Sequence, residues 1–138
     1  MNEVFEYKTK IIESHLDSFG HVNNANYLKL FEEARWDFIT QRGHGLDYVL
    51  AKKVGPVILD LNLRFKHELK NRDDITIVSQ VSEIKSSKIY VIEQKMMRAD
   101  GKLAAIAQFT AGFFDLNERK LITPEPSWLT ALGITNTN

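Results

Sequence analysis

One segment constrains this chain more than any other: residues 24–42, its one long stretch with helical periodicity. Tyr27, Phe31, Ala34 and Phe38 recur at steps of four, three and four, which lines them up on one face of an α-helix. Leu28, Leu30 and Ile39 widen the stripe. A stripe that wide needs cover on most of its circumference, so the helix is expected to be well buried. Asn23 or Asn24 supplies an N-cap, and Gly43 and Gly45 supply a stop. Trp36 falls on the polar side, beside Lys29, Glu32, Glu33 and Thr40. It is expected either as an exposed ring or as a contact to another subunit.

Everything else that is long enough to cover this helix reads as strand. Residues 4–13 alternate, with Phe5, Tyr7, Thr9 and Ile11 on one side and Glu6, Lys8 and Lys10 on the other. After a short helical turn at 46–53, Pro56 opens the clearest period-2 run: Val57, Leu59, Leu61, Leu63 and Phe65 against Ile58, Asp60, Asn62, Arg64 and Lys66. Asn71-Arg72-Asp73-Asp74 reads as a turn. Strands are expected at 75–84, 88–98 and 103–115, joined at Ser86-Ser87 and at Ala99-Asp100-Gly101-Lys102, where Asp-Gly suits a primed hairpin turn. The last strand presents Leu103, Ala105, Ala107, Phe109, Ala111 and Phe113 to one side, and its alanines let a helix approach closely. A tail from 124 to 138 is expected to carry one helical turn around Trp128–Leu132 and then fray. The expected architecture is α+β: one strand, one long helix, then four strands in hairpin series, forming a single antiparallel sheet wrapped around one central helix. The whole chain, 1–138, is expected as a single domain. One helix covers one sheet face, so the other is solvated or packed on a partner. Apolar residues on both sides of some strands (Ile75 and Ile77 against Val78, Val91 against Ile92) favour an oligomer.

Composition removes several function classes. Lys and Arg total 18 and so do Asp and Glu, so there is no global basic field for nucleic acid or an anionic membrane. There are no cysteines, which excludes disulfides, thiolate catalysis and cysteine metal sites. Glu3, Glu6, Lys8 and Lys10 break up the N-terminus as a signal core, and no run reaches the ~20 apolar residues of a membrane span. A soluble cytoplasmic protein is the expectation.

The chemistry concentrates in residues 14–27, Ser-His-Leu-Asp-Ser-Phe-Gly-His-Val-Asn-Asn-Ala-Asn-Tyr. Asp17, Gly20 and His21 fall within five residues, just before the helix start. A helix N-terminus offers unpaired N–H groups and a partial positive charge. Attack on a polarised carbonyl needs a base or nucleophile beside such a cradle.

The run Asp17-Ser18-Phe19-Gly20-His21-Val22-Asn23-Asn24-Ala25-Asn26-Tyr27-Leu28, continued by Phe31-Glu32-Glu33-Ala34-Arg35, resembles the signature of the hotdog-fold acyl-CoA thioesterases, in particular the hydroxybenzoyl-CoA thioesterase-like branch. The resemblance extends over about the whole chain. It implies the hotdog fold, hydrolysis of an acyl-CoA thioester to a carboxylic acid and free CoA, and no metal or redox cofactor, CoA being part of the substrate. It also implies a homodimer as the minimum unit, often paired into a homotetramer, with sites at the subunit interface. Carrier-protein thioesters are a variant substrate.

Each residue has a plainer role beside the implied one. Asp17 matches the family's catalytic carboxylate, as nucleophile or general base; a loop aspartate also caps turns. Gly20 allows a backbone conformation denied to other residues and close approach of substrate, or is an ordinary turn glycine. Asn24 matches the position whose backbone N–H faces the thioester oxygen; its side chain can equally be a plain cap. His21 either orients water or holds the loop. Tyr27 packs in the core stripe or lines the acyl pocket. Glu32 and Glu33 are solvated or paired with Arg35. A metal site from His15, Asp17 and His21 lacks a recognised spacing. CoA phosphates have two candidate clusters, Lys66, His67, Lys70 and Arg72, or Lys85, Ser86, Ser87 and Lys88; the resemblance favours the second. Two other functions compete: an enoyl-CoA hydratase or dehydratase on the same fold, pairing Asp and His, and a non-catalytic acyl-CoA-binding protein.

Overall fold

The structure, a computed structural model, describes residues 2–135. The expected fraying at 136–138 lies outside the described residues. In chain order the elements are β1 (Val4–Lys10), a 3-10 turn (Glu13–His15), α1 (Asn24–Gln41), α2 (Leu46–Lys52), β2 (Val54–Phe65), β3 (Asp74–Ile84), β4 (Ile89–Arg98), β5 (Leu103–Asp115), β6 (Lys120–Leu121) and α3 (Pro126–Ala131). The first strand ends at Lys10, three residues earlier than its alternation suggests, because Ile11 to His15 turn toward the site loop.

The strands make one antiparallel sheet in the order β1-β3-β4-β5-β2, with the short β6 beside β5. This corrects the expected hairpin series. The 71–74 turn forms, closed by Asp73 N–H donating to Lys70 O (3.1 Å), but β2 and β3 are not neighbours. Residues 66–73 carry the chain across the open end of the sheet, anchored by fully buried Leu69, so β2 pairs with β5 instead. That crossing segment later proves to be one wall of the site.

Helix α1 lies in the concave face. Tyr27, Leu30, Phe31, Ala34, Phe38 and Ile39 are buried, as the stripe requires. Ala105, Ala107 and Ala111 of β5 are buried opposite it, and their small size admits Phe31, which meets Phe109 edge-on at 5.9 Å. The core divides along the helix. Ile11, Val22, Tyr27, Leu30 and Phe31 gather at its N-terminal half, and Phe38, Ile39, Phe113 and Trp128 at its C-terminal half. Two polar side chains, Gln94 and Ser79, sit in the middle. Gln94 is 0% exposed; its Nε2 donates to Phe31 O and Ser79 Oγ (3.0 Å each), and its Oε1 accepts from Arg35 Nη1 (2.9 Å). Arg35, expected beside Glu32 or Glu33, thus bonds the sheet centre and lies over the Phe109 ring at 4.2 Å.

The register places Glu93, Lys95, Gln108, Asp60 and Asn62 on the convex face, which is accordingly polar. Apolar residues are exposed along the β2 edge: Leu59 is 46% exposed, Leu61 42% and Phe65 54%. Trp36 is half-buried and borders a small groove between α1 and Pro56 and Ile58 of that strand. No helix among the described residues is long and apolar enough to cross a membrane.

Candidate functional site

The loop before α1 is a miniature hairpin. Leu16 and Val22 bridge, Asp17 N–H donates to His21 O (2.8 Å), and Gly20 N–H donates to Asp17 O (3.1 Å). Gly20 closes the turn at φ +79°, a left-handed conformation that glycine adopts without strain. A Cβ there would meet nothing within 4 Å, so conformation, not crowding within this chain, asks for glycine. The other side of the loop hangs on His15. Its carbonyl accepts from Asn23 N–H (3.0 Å) and Asn26 Nδ2 (2.8 Å), while its Nδ1 accepts from Ile12 N–H (3.0 Å). With Nδ1 accepting, His15 serves the loop's architecture. No group of three or more His, Asp or Glu among the described residues is placed to hold a metal ion.

Asp17 caps the turn with one oxygen and keeps the other uncommitted. Its Oδ1 accepts from the backbone N–H of Phe19 (2.9 Å) and of His21 (3.2 Å), the bonding of an Asx turn. No described residue donates to Oδ2, and Asp17 borders an open cleft of about 520 Å³. One oxygen is therefore fixed by two amides, which orients the carboxylate and leaves the other oxygen to whatever enters.

The helix start supplies the complement. Asn23 is the N-cap, its Oδ1 accepting from Ala25 N–H (2.9 Å), and its carbonyl accepts from Asn26 N–H (2.9 Å). Asn24 N–H, the first amide of α1, has no acceptor among the described residues, and Asn24 lines the same cleft. The cap satisfies its neighbours and leaves this donor open, where the partial positive charge of the helix end is concentrated.

The cleft has two walls. Asp17, Val22, Asn23, Asn24 and Tyr27 form one; Phe65, Lys66, His67 and Glu68, from the end of β2 and the crossing segment, form the other. Tyr27 packs edge-on against Phe65 at 4.9 Å, so it belongs both to the core stripe and to the cleft. Burial first, and the charge of Glu68 second, push its hydroxyl above the usual tyrosine range, so it keeps its proton.

His21 does not line the cleft. It is exposed, with Nε2 3.8 Å from Glu68 Oε2. Lys85, Ser86, Ser87 and Lys88 lie in the β3–β4 hairpin, at the opposite end of the sheet from Asp17: the cleft adjoins the start of β5 and end of β2, whereas the hairpin adjoins Gly112 and Phe113 near the end of β5. In one chain they cannot serve the same cleft. Of the other basic cluster, Lys66 and His67 reach the cleft, while Arg72 pairs with Glu13 and Lys70 with Glu68 (3.9 Å). Sequence reading missed Phe65 and Glu68 as site residues. The available signal was the gap between the strand ending near Phe65 and the turn at Asn71, too long for a tight hairpin.

Comparison with known proteins gives the chain its family. Residues 13–132 match the family model of the thioesterase-like superfamily. The long-chain acyl-CoA thioesterase FadM of Escherichia coli is 28% identical over 84% of this chain and 87% of its own length. Among solved structures, a Staphylococcus aureus protein in complex with CoA superposes with a TM-score of 0.86 at 18% identity, covering 95% of this chain and 82% of that one. The 1,4-dihydroxy-2-naphthoyl-CoA thioesterase of Synechocystis superposes with a TM-score of 0.85 at 18% identity, covering 94% and 96%. The fold is the one that the Asp17–Arg35 signature implied, and the match covers both walls of the cleft: this chain belongs to the thioesterase-like superfamily.

Proposed function

We propose that this protein hydrolyses acyl-CoA thioesters to a carboxylic acid and free CoA. The observation that carries the reading is the pairing within one cleft of Asp17, held by two amides with Oδ2 unengaged, and the open N–H of Asn24. Asp17 attacks the thioester carbonyl or activates a water that does. As negative charge gathers on the carbonyl oxygen, Asn24 N–H and the helix end hold it. Their preorganisation matters because the cap has already fixed the donor, so little reorganisation accompanies reaction. Tyr27 and Phe65 give the acyl group an apolar surface, and Lys66, in no ion pair among the described residues, is a cation at the cleft for the CoA phosphates. No metal or redox cofactor enters the scheme.

The working unit in this reading is at least a homodimer, with a homotetramer as the larger assembly. The exposed leucines and free hydrogen-bonding edge of β2 fit a second copy. Antiparallel pairing of two β2 edges would set the Lys85–Lys88 end of one sheet beside the cleft end of the other, which is how Lys85, Ser86, Ser87 and Lys88 could reach CoA. A cytoplasmic location fits a chain without cysteine. The similarity to FadM makes long-chain acyl-CoAs the first substrates to try.

The test is thiol release across short, long and aromatic acyl-CoAs by wild type, Asp17→Asn and Asp17→Ala. Asn keeps an oxygen for the Phe19 and His21 amides and loses only the carboxylate. Turnover should fall on the order of a hundredfold or more in both variants, with Asp17→Asn retaining more thermal stability than Asp17→Ala. Wild-type rates from a folded Asp17→Asn protein would end the proposal. Hydration of crotonyl-CoA without thiol release would replace it with the hydratase reading.

A further inference from the structure

We propose that His67, on the wall facing Asp17, is the proton donor to the departing thiolate, an assignment that rests on the thioesterase reading above. Three observations lead there. First, His67 lines the Asp17–Asn24 cleft from its other side. Attack and oxyanion stabilisation both come from the loop-and-helix wall, which leaves the facing wall and the mouth for the leaving group. Second, the ring is held in one tautomer. Its Nδ1 lies 2.9 Å from Leu103 O. A carbonyl cannot donate, so Nδ1 carries the hydrogen and Nε2 is the nitrogen that exchanges protons. The same carbonyl anchor restricts ring rotation, and Lys66 N–H and His67 N–H both donate to Ala104 O (2.8 and 3.1 Å), fixing the backbone beneath it.

Third, apart from Asp17, which the attack engages, no other group lining the cleft suits the task. A thiolate leaving group wants a donor that is protonated near neutral pH and is a stronger acid than a thiol. Tyr27 holds its proton more tightly than an ordinary tyrosine. An alkylammonium is a weaker acid than a thiol, and carboxyl groups are ordinarily ionised at neutral pH. Imidazole is the side chain whose exchange falls in the required range.

The step balances. When the tetrahedral adduct collapses, the C–S bond breaks and its electron pair stays on sulfur. The proton on Nε2 passes to that sulfur, giving the free thiol and a neutral imidazole still bonded through Nδ1–H to Leu103 O. The incoming water supplies the acyl oxygen. Its released proton, taken up at Asp17, returns through solvent to reload Nε2.

The experiment separates this role from phosphate binding by using substrates without CoA. His67→Gln is assayed with one acyl group carried on N-acetylcysteamine, a poor alkyl-thiol leaving group, and on thiophenol, a good one that needs no proton. The expected result is a fall in kcat/KM on the order of a hundredfold for the first ester and less than about threefold for the second. In parallel, His67→Ala is assayed on acyl-CoA with added imidazole, which should restore thiol release in a saturable way. Equal losses on both esters, or a change confined to KM for acyl-CoA with no rescue by imidazole, would overturn the assignment and leave the thioesterase reading intact. Loss of both esters in Asp17→Asn, run alongside, is the control for that underlying reading; its absence points to the reading and not to His67.

Discussion

Replacing Gln94 by Leu tests how α1, and with it the open Asn24 amide at its start, is fixed to the sheet. The two side chains are similar in size, so packing is nearly conserved. What changes is hydrogen bonding. Gln94 is 0% exposed and makes three bonds, to Phe31 O, Ser79 Oγ and Arg35 Nη1. Ser79 is 1% exposed, so its hydroxyl would be left without this partner in the core, at about 1–3 kcal/mol. Arg35 is only partly buried. Burial already lowers the proton affinity of its guanidinium, and losing its acceptor adds a further penalty of about 1–2 kcal/mol, discounted because water can reach it. The extra apolar surface of Leu returns part of this, roughly 1 kcal/mol. The net loss is about 1–4 kcal/mol, which for a chain of this length lowers Tm by about 5–15 °C. Scanning calorimetry at a fixed protein concentration measures it. Adding Ser79→Ala and Arg35→Met to Gln94→Leu removes the stranded partners and should recover at least half of the loss, because removing both sides of a buried bond costs less than removing one. A Gln94→Leu protein as stable as wild type would show that the bonds contribute nothing net. A triple variant less stable than the single one would show that the loss has another origin.

Two further perturbations address the loop and the edge. Gly20→Ala places a side chain at φ +79° with no neighbour to strike, so it should cost about 1–2 kcal/mol of backbone strain and disturb the turn that orients Asp17; thermal melts and thiol release should fall together, and an unchanged pair would mean the turn tolerates the residue. Leu59→Glu combined with Leu61→Glu puts charge on the exposed β2 edge and should shift the protein toward monomer in sedimentation velocity with loss of turnover; an unchanged sedimentation coefficient would place the interface elsewhere.

The parts of this molecule that were legible in the sequence are those built from neighbours along the chain. The stripe on α1 was readable because burial on one side of a helix imposes its period on Tyr27, Phe31, Ala34 and Phe38. The Asp17 loop was readable because Gly20, the Asn23 cap and the first free amide all lie within eight residues, and local hydrogen bonds decide their geometry. What sequence order did not reveal was which strand lies beside which. Alternation in Val57–Phe65 says that one side of β2 is apolar, but it is silent on whether the partner is β3 or β5. That choice is made by the helix, since closing the sheet around α1 requires β2 at the far edge, and the closure drags Phe65, Lys66, His67 and Glu68 across to face Asp17. The same closure carries Lys85–Lys88 to the other end, so a cluster that looks suitable by composition is remote within one chain. The Asp17–Asn24 wall of this cleft is thus a local product of the chain and the opposite wall a product of topology. The proton donor proposed above lies on the second, where residue type alone suggested a candidate phosphate cluster.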